Sequence, residues 1–154
     1  MLLFENKTFE ALSKDELYEL LSLRTDVFIV EQECPYQDID FKDQKAIHIL
    51  GKINGEIVAY ARVFMPGDYL KEASIGRVIV KNKFRHLQYG QILMKHAIDT
   101  LKTLDIKIID ISAQVYLLKF YQNLGFERIS EHYLEDDIPH VMMRLMPHNP
   151  QKGS

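Results

Sequence analysis

Residues 79–93 read IVKNKFRHLQYGQIL, and this stretch decides the fold. An apolar strand ends near Val80 and, after a short loop, the segment from Gly90 to Leu104 carries apolar side chains at helical spacing. The N-terminus of such a helix presents unpaired backbone N–H groups and the positive end of the helix dipole. The junction therefore predicts an anion site, with Arg85 as a fork of donors and Gly90 allowing close approach to the backbone.

The sequence of this loop narrows the identity of the anion only in part. The chain contains neither a Walker pattern nor Gly-x-Gly-x-x-Gly, which argues against nucleoside triphosphates and dinucleotides. A loop of this kind can also be purely structural, so a ligand assignment requires a second motif.

The chain after the loop predicts a buried strand, a short helix and a closing hairpin. Residues 106–113 form a nearly continuous apolar run, typical of a strand buried on both faces of a sheet. Gly125 is the expected stop of the helix that follows. The predicted bounds are 115–123 for this helix and 126–133 and 140–146 for the last two strands.

The chain before the loop predicts one helix and three strands. Ser13 to Glu16 is a capping box, and it starts a helix whose apolar stripe continues to Phe28 and is interrupted by Arg24. Asn54-Gly55 is the strongest hairpin signal in the chain. The predicted strands are 47–53, 57–64 and 73–80.

These elements predict an α/β (α+β) fold with a mixed, mostly antiparallel sheet of about seven strands flanked by helices. One domain is expected to span residues 1–146. Residues 147–154 are expected to form a polar C-terminal tail.

Composition limits the classes of partner and compartment. The 154 residues are 47% hydrophobic, with a net charge of −3 and one cysteine. This charge gives no reason to expect nucleic acid or an anionic membrane as partner, and a lone cysteine fits a reducing cytoplasm. The first residues do not read as a signal peptide, no apolar run is long enough for a membrane span, and no metal-ligand spacing is present. We therefore expect a cytoplasmic protein without a metal, as a monomer or homodimer.

Two motifs, in order, resemble those of the GNAT superfamily of N-acetyltransferases. Arg85-x-x-x-x-Gly90 resembles its coenzyme A pyrophosphate loop, and FYQNLGF at residues 120–126 resembles its Phe/Leu-Tyr-x-x-x-Gly-Phe signature. Further segments resemble the ElaA-like subfamily over about residues 10–146. They are VEQECPYQDID at 30–40, HIL at 48–50, AYAR at 59–62, IGRV at 75–78 and IPH at 138–140.

The resemblance implies transfer of an acetyl group from acetyl-CoA to a primary amine, without a metal. It implies that Tyr121 protonates the departing thiolate and that a backbone N–H near residues 78–80 binds the oxyanion. The implied coenzyme A contacts are Val78, Ile79, Val80, Arg85, His86, Leu87, Gln88, Tyr89, Gly90, Gln91, Gln114, Phe120 and Tyr121.

The sequence departs from the family pattern at three positions. Gln88 replaces the first glycine of the usual loop, where it can still donate its backbone N–H if its φ is negative. Gln114 stands where many members have asparagine. Arg77 stands near a position at which several members place a glutamate, and this departure leaves the identity of the general base open.

Several residues are therefore candidates for the base and for substrate contacts. Glu33, Asp38 and His140 are the candidate bases, of which at most one is expected to act, although carboxylates of this kind are usually solvated and a lone histidine is usually structural. Tyr121 can likewise be a core tyrosine. Arg24 is expected to reach a carboxylate, either of the fold or of a substrate. The candidate substrate contacts are Arg24, Phe28, Glu33, Asp38 and Arg77.

Three functions stay open at this point. The first is an N-acetyltransferase acting on a small-molecule amine such as an amino acid or a polyamine. The second is an acyltransferase of the acyl-homoserine-lactone-synthase type, which shares the fold. The third, from another class, is a non-catalytic acyl-CoA sensor, which binds the thioester without turnover.

Overall fold

The computed structural model describes residues 1–147. They form one sheet in the order β1-β2-β3-β4-β5-β8-β6, with β7 paired to β8 beside this path. The strands are β1 (Leu3–Thr8), β2 (Ile47–Ile53), β3 (Glu56–Phe64), β4 (Ala73–Val80), β5 (Ile109–Gln114), β6 (Glu127–Arg128), β7 (Tyr133–Glu135) and β8 (Ile138–Leu145). Within residues 1–147, β4 and β5 are the only strands that pair in parallel. The predicted mixed, mostly antiparallel sheet is confirmed, with eight strands instead of about seven.

The helices are α1 (Lys14–Arg24), a π-helix (Thr25–Glu31), α2 (Tyr89–Thr103) and α3 (Leu118–Asn123). The predicted capping box is present, because the Ser13 hydroxyl accepts the Glu16 N–H at 3.0 Å and the Glu16 carboxylate accepts the Ser13 N–H at 2.9 Å. The sequence predicted one helix through Phe28. The structure instead changes to π geometry after Arg24.

The extra strand and the closing hairpin differ from the prediction for local reasons. β1 was not predicted because its side chains are mostly polar and exposed, as suits an edge strand. The strand predicted at 126–133 is divided into β6 and β7. The backbone N–H of Met142 there donates to the Ser130 hydroxyl, at 2.9 Å, instead of to a facing carbonyl.

Helices pack on both faces of the sheet. One buried cluster joins α1 to the sheet through Leu20, Leu23, Leu50, Tyr60 and Ile79. On the opposite face, the apolar side of α2 covers the central strands with Leu93, Met94, Ala97, Ile98 and Leu101. Side chains of β3 point to both faces of the sheet and belong to both clusters, so the centre of the sheet is buried on both sides.

The described part of the chain contains no helix long and apolar enough to cross a membrane. The bounds predicted for the domain stay a prediction. The predicted tail lies outside the described residues apart from Pro147.

Candidate active site

β4 and β5 separate toward their carboxyl ends. Their last paired residues are Ser74 and Asp110, although β4 continues to Val80 and β5 to Gln114. Beyond that pair, the backbone N–H and C=O groups of β4 and β5 that face each other are not hydrogen-bonded to one another. The resulting slot can hold an extended ligand by main-chain hydrogen bonds.

A cavity of about 570 Å³ opens at this slot, a volume within the range of small-ligand sites. Its wall combines β4 and β5 with the loop after the π-helix and the tip of the β7–β8 hairpin. Six of the predicted site residues line it: Phe28, Arg77, Val78, Gln114, Tyr121 and His140.

The predicted phosphate loop lies at the start of α2. No side chain in the described part of the chain caps the N-terminus of α2, so the N–H groups of its first turn can meet an anion. A Cβ built on Gly90 would lie 3.7 Å from the Phe120 ring. The two sequence motifs, about thirty residues apart in the chain, therefore lie side by side.

Gln88 adopts a left-handed conformation with φ of 60°. The negative φ that the sequence analysis required for its N–H to face a ligand is therefore absent. Glycine adopts this conformation without strain, whereas another L-residue does so at a cost of about 1–2 kcal/mol. Gln88 therefore holds a conformation that glycine would adopt without this cost.

Arg85 is engaged on two sides. Its Nε–H donates to the Val80 carbonyl at 2.8 Å, and its terminal nitrogens donate to the two carboxylate oxygens of Glu31 at 2.6 and 3.0 Å. Both side chains of this ion pair are partly exposed. A phosphate at the α2 N-terminus would therefore compete with Glu31 for this guanidinium.

β4 carries a bulge at the cavity. Arg77 and Val78 lie opposite the single residue Ala61, because the ladder pairs Tyr60 with Ile79 and Arg62 with Gly76. Arg77 has φ of 49°. Bulges of this kind redirect backbone and side-chain groups and recur beside active sites.

Three arginines and three aspartates join the loop after the π-helix to the end of α1 and to the sheet. The network pairs Arg24 with Asp38 and Asp43, Arg62 with Asp40 and Asp43, and Arg77 with Asp38, with the closest contacts at 2.5–2.9 Å.

Three of the predicted substrate contacts, Arg24, Asp38 and Arg77, belong to this network, and only Arg77 also lines the cavity. The Arg24 side chain has no exposed surface, so its carboxylate partners belong to the fold and not to a substrate. Asp38 is also buried, and its two carboxylate oxygens accept the Nε–H groups of Arg24 and Arg77. Neither side chain forms part of the cavity wall.

The three candidate bases lie in different environments. Glu33 is exposed and lies outside the cavity wall, Asp38 is held by two arginines, and His140 is buried and lines the cavity. His48, which is not a candidate base, is buried in β2 between the Tyr60 hydroxyl and the Asp43 carbonyl.

Tyr121 is 7% exposed and borders the cavity. Its ring packs edge-on against Phe120 and Phe126. Burial raises the pKa of Tyr121 to about 12, so the hydroxyl stays protonated around neutral pH. Within residues 1–147 the hydroxyl has no hydrogen-bond partner, which leaves its proton available to a ligand.

Sequence reasoning missed the hairpin side of the cavity. Ser112, Tyr133, Glu135 and Asp136 all belong to its wall. Ser112 lies on β5 between buried neighbours, and its exposed polar side chain in an apolar strand was the available signal. Glu135 and Asp136 carry no motif that sets them apart from other surface carboxylates.

Comparison with known proteins agrees with this architecture. The model of the acetyltransferase (GNAT) domain matches residues 10–147. Protein ElaA of Escherichia coli strain K12 is 47% identical over 135 residues, which are 86% of this chain and 88% of that protein.

Two solved structures share the fold and much of the sequence. An acyl-CoA N-acyltransferase from Pseudomonas aeruginosa superposes with a TM-score of 0.89 at 38% identity, over 94% of this chain and 99% of that one. The E. coli ElaA crystal structure gives a TM-score of 0.87 at 42% identity with the same coverage. The chain therefore belongs to the GNAT acetyltransferase family, with ElaA among its relatives.

Proposed function

We propose that this protein transfers an acetyl group from acetyl-CoA to a primary amine of a small molecule, such as an amino acid or a polyamine. The observation that carries the proposal is the slot between β4 and β5, which runs beside the uncapped N-terminus of α2 into a cavity bordered by Tyr121. The single cysteine supports a reducing compartment, such as the cytoplasm, as the place of action.

The residues present fit an acyl-CoA donor. The backbone of residues 87–91, apart from the N–H of Gln88, would hold the pyrophosphate, with Arg85 beside it, because an open helix N-terminus favours anions. The β4 edge at residues 78–80 and the side chain of Gln114 would hold the acyl-bearing arm. A backbone N–H of the same edge would meet the oxyanion.

The reaction needs two proton transfers. A lysine-like amine with a pKa of about 10.4 is almost entirely protonated at neutral pH, so it must lose a proton before its nitrogen attacks the thioester carbonyl carbon. The N–C bond forms, the C–S bond breaks, and the electron pair of the C–S bond leaves on sulfur. Tyr121 donates the proton that the thiolate takes up and is restored from solvent.

A thiol-release assay tests this function. The protein is incubated with acetyl-CoA and a panel of primary amines comprising n-butylamine, putrescine, spermidine and the common L-amino acids, and free thiol and acetylated amine are quantified together. Amine-dependent release of thiol with matching product supports the transferase. Binding of acetyl-CoA by calorimetry without release supports the sensor, and release only with a longer acyl donor supports the lactone-synthase type.

A further inference from the structure

The β7–β8 hairpin brings a carboxylate and an imidazole together at the cavity. Tyr133 pairs with His140 and Glu135 pairs with Ile138 across the hairpin. His140 Nε2 lies 3.7 Å from a carboxylate oxygen of Glu135, and both residues line the cavity. The two side chains differ in exposure, at 8% for His140 and 48% for Glu135.

The backbone fixes the tautomer of His140. Its Nδ1 lies 2.6 Å from the carbonyl oxygen of Ile138. Because a carbonyl only accepts hydrogen bonds, Nδ1 carries the proton of the neutral ring. Nε2 then bears a lone pair, and 3.7 Å is too long for a direct bond to Glu135. Among residues 1–147 Nε2 has no hydrogen-bond partner, so it is an available base on a residue of the cavity wall.

The Glu135 carboxylate accepts a hydrogen bond from one hydroxyl group, which is itself bonded to a second hydroxyl. The Ser112 hydroxyl donates to one oxygen of Glu135 at 3.0 Å, and the hydroxyls of Ser112 and Tyr133 are themselves hydrogen-bonded. This chain occupies Oε1 and leaves Oε2, the atom nearest His140, open to a ligand. Among the described residues no lysine or arginine lies within 4 Å of this carboxylate.

The surroundings of His140 contain one unpaired carboxylate at short range. Besides His140, the titratable and charged residues of the cavity wall are Tyr133 and Glu135 of β7, Asp136 of the turn, Tyr121 of α3, and Tyr36, Lys42, Arg62, Tyr69 and Arg77 elsewhere in the wall. Arg62 is paired with Asp40 and Asp43. Arg77 is bound to Asp38 at 2.8 Å. The hairpin side of the cavity is therefore acidic, which favours a cation there.

The geometry suits an ammonium group. A nitrogen about 2.8 Å from each atom, the usual length of a charge-assisted hydrogen bond, would sit at the apex of a triangle whose base is the 3.7 Å between Nε2 and the Glu135 oxygen. Two N–H groups of a primary ammonium can then point one at each atom.

We propose that Glu135 binds the acceptor's ammonium group and that His140 Nε2 removes a proton from it. This inference rests on the proposed function. The ammonium gives one proton to Nε2, and the neutral amine attacks the thioester carbon. The nitrogen loses a second proton as the adduct collapses and the C–S bond breaks. Both protons lost by the nitrogen pass to water, the first of them through His140. Tyr121 protonates the coenzyme A thiolate and regains one proton from water, so one proton is released in total.

Kinetics of three variants separate these roles. Glu135→Gln keeps the size and shape of the side chain but removes its negative charge. KM for n-butylamine should therefore rise about ten- to hundredfold, with a smaller change in kcat. In His140→Gln, kcat/KM should fall by about 10²–10⁴ and the acidic limb of its pH profile should disappear. Glu131→Gln is the matched control, because Glu131 precedes β7 and its side chain is 99% exposed.

A binding experiment gives a readout that does not require turnover. In protein labelled with ¹⁵N-histidine, n-butylammonium should shift the Nε2 resonance of His140 in the parent and in Glu131→Gln, but not in Glu135→Gln. This arm decides the inference even if no amine in the panel is acetylated, in which case the proposed function fails separately.

Three results would overturn the ammonium site. They are an unchanged KM for n-butylamine in Glu135→Gln, an acidic limb that persists in His140→Gln, and the absence of any His140 shift in the parent. A loss of activity that only parallels a loss of folded protein, followed by circular dichroism, would also overturn it.

Discussion

Arg77, in a left-handed conformation with φ of 49°, donates its Nε–H to a carboxylate oxygen of Asp38 at 2.8 Å. A non-glycine residue in this conformation is strained, by about 1–3 kcal/mol. The ion pair links the bulge of β4 to the loop after the π-helix. The residue with the strained backbone is therefore also the residue that holds these two segments together at the cavity.

The strain predicts an unusual order of stabilities at this position. Arg77→Ala and Arg77→Gly both remove the ion pair, but only glycine relieves the backbone. We expect the glycine variant to be more stable than the alanine variant by about 1 kcal/mol, measured by urea unfolding. At Arg128 of β6, whose φ is not positive, the order should be reversed. An alanine variant at position 77 that is the more stable of the two would contradict the left-handed conformation.

The ion pair between Glu31 and Arg85 predicts that coenzyme A binding is weakened by Glu31. Removing the carboxylate in Glu31→Gln frees the guanidinium, so the affinity for coenzyme A should rise about two- to fivefold. Arg85→Ala should lower the affinity about tenfold, measured by calorimetry at low salt.

The double variant and a second ion pair serve as controls. If Glu31 acts through Arg85, adding Glu31→Gln to Arg85→Ala should have no further effect. Glu56→Gln breaks the neighbouring exposed pair with Lys81, at 2.7 Å, and should leave the affinity unchanged. An Arg85→Ala variant that binds coenzyme A as tightly as the parent would remove Arg85 from the cradle.

Asp40 predicts an acid-sensitive contribution to stability. Burial pushes the pKa of Asp40 up, but hydrogen bonds and the charge of Arg62 outweigh burial and lower the pKa to about 2. Because this folded-state pKa lies below the unfolded value of about 3.9, the carboxylate stabilises the fold above pH 4. That contribution is lost as the pH falls toward 2.

The comparison of the parent with Asp40→Asn measures this contribution. At pH 5 the variant should be less stable by at least about 1–2 kcal/mol, and the difference should narrow at pH 2.5. Other carboxylates titrate in both proteins and cancel. Asp137→Asn, in the exposed β7–β8 turn, should track the parent. A gap that stays constant with pH would show that the charge of Asp40 is not what stabilises the fold.

The elements that the sequence predicted well are those determined by interactions between residues close together in the chain. The capping box at Ser13, the hairpin turn at Asn54-Gly55 and the apolar stripe of α2 each act within a few residues of the chain, so the sequence contains the whole cause. β1 was missed because an edge strand gains its stability from pairing with β2, a non-local contact that its polar side chains do not signal.

The residues of the candidate site also divide into those that lie in a local sequence motif and those that only the fold brings together. Arg85, Gly90 and Tyr121 lie in linear motifs, so the resemblance could propose them as site residues. Glu135 could not, because its significance depends on the hairpin register that places it beside His140 and on Ser112 from another strand. Arg24 was recognised as needing a carboxylate, but only the fold shows that Asp38 and Asp43 supply it.

Tyr121→Phe tests the donor of the thiolate proton. The substitution removes one hydroxyl and leaves the ring between Phe120 and Phe126. If Tyr121 is the acid, kcat should fall by about 10²–10⁴ while the affinity for acetyl-CoA changes much less, because the proton is needed only in the transition state.

The alternative role of Tyr121 is packing, and stability separates the two roles. A hydroxyl without a hydrogen-bond partner among the described residues contributes little to the folded state, so the melting temperature of Tyr121→Phe should stay close to that of the parent. Tyr116→Phe is the matched control, since Tyr116 lies one turn before α3 and is 73% exposed; it should keep full activity. If Tyr121→Phe turns over amines at the rate of the parent, Tyr121 is a core tyrosine. The thiolate then leaves without a proton from the protein, which a free thiol with a pKa of about 8.5 permits far more readily than an alkoxide would.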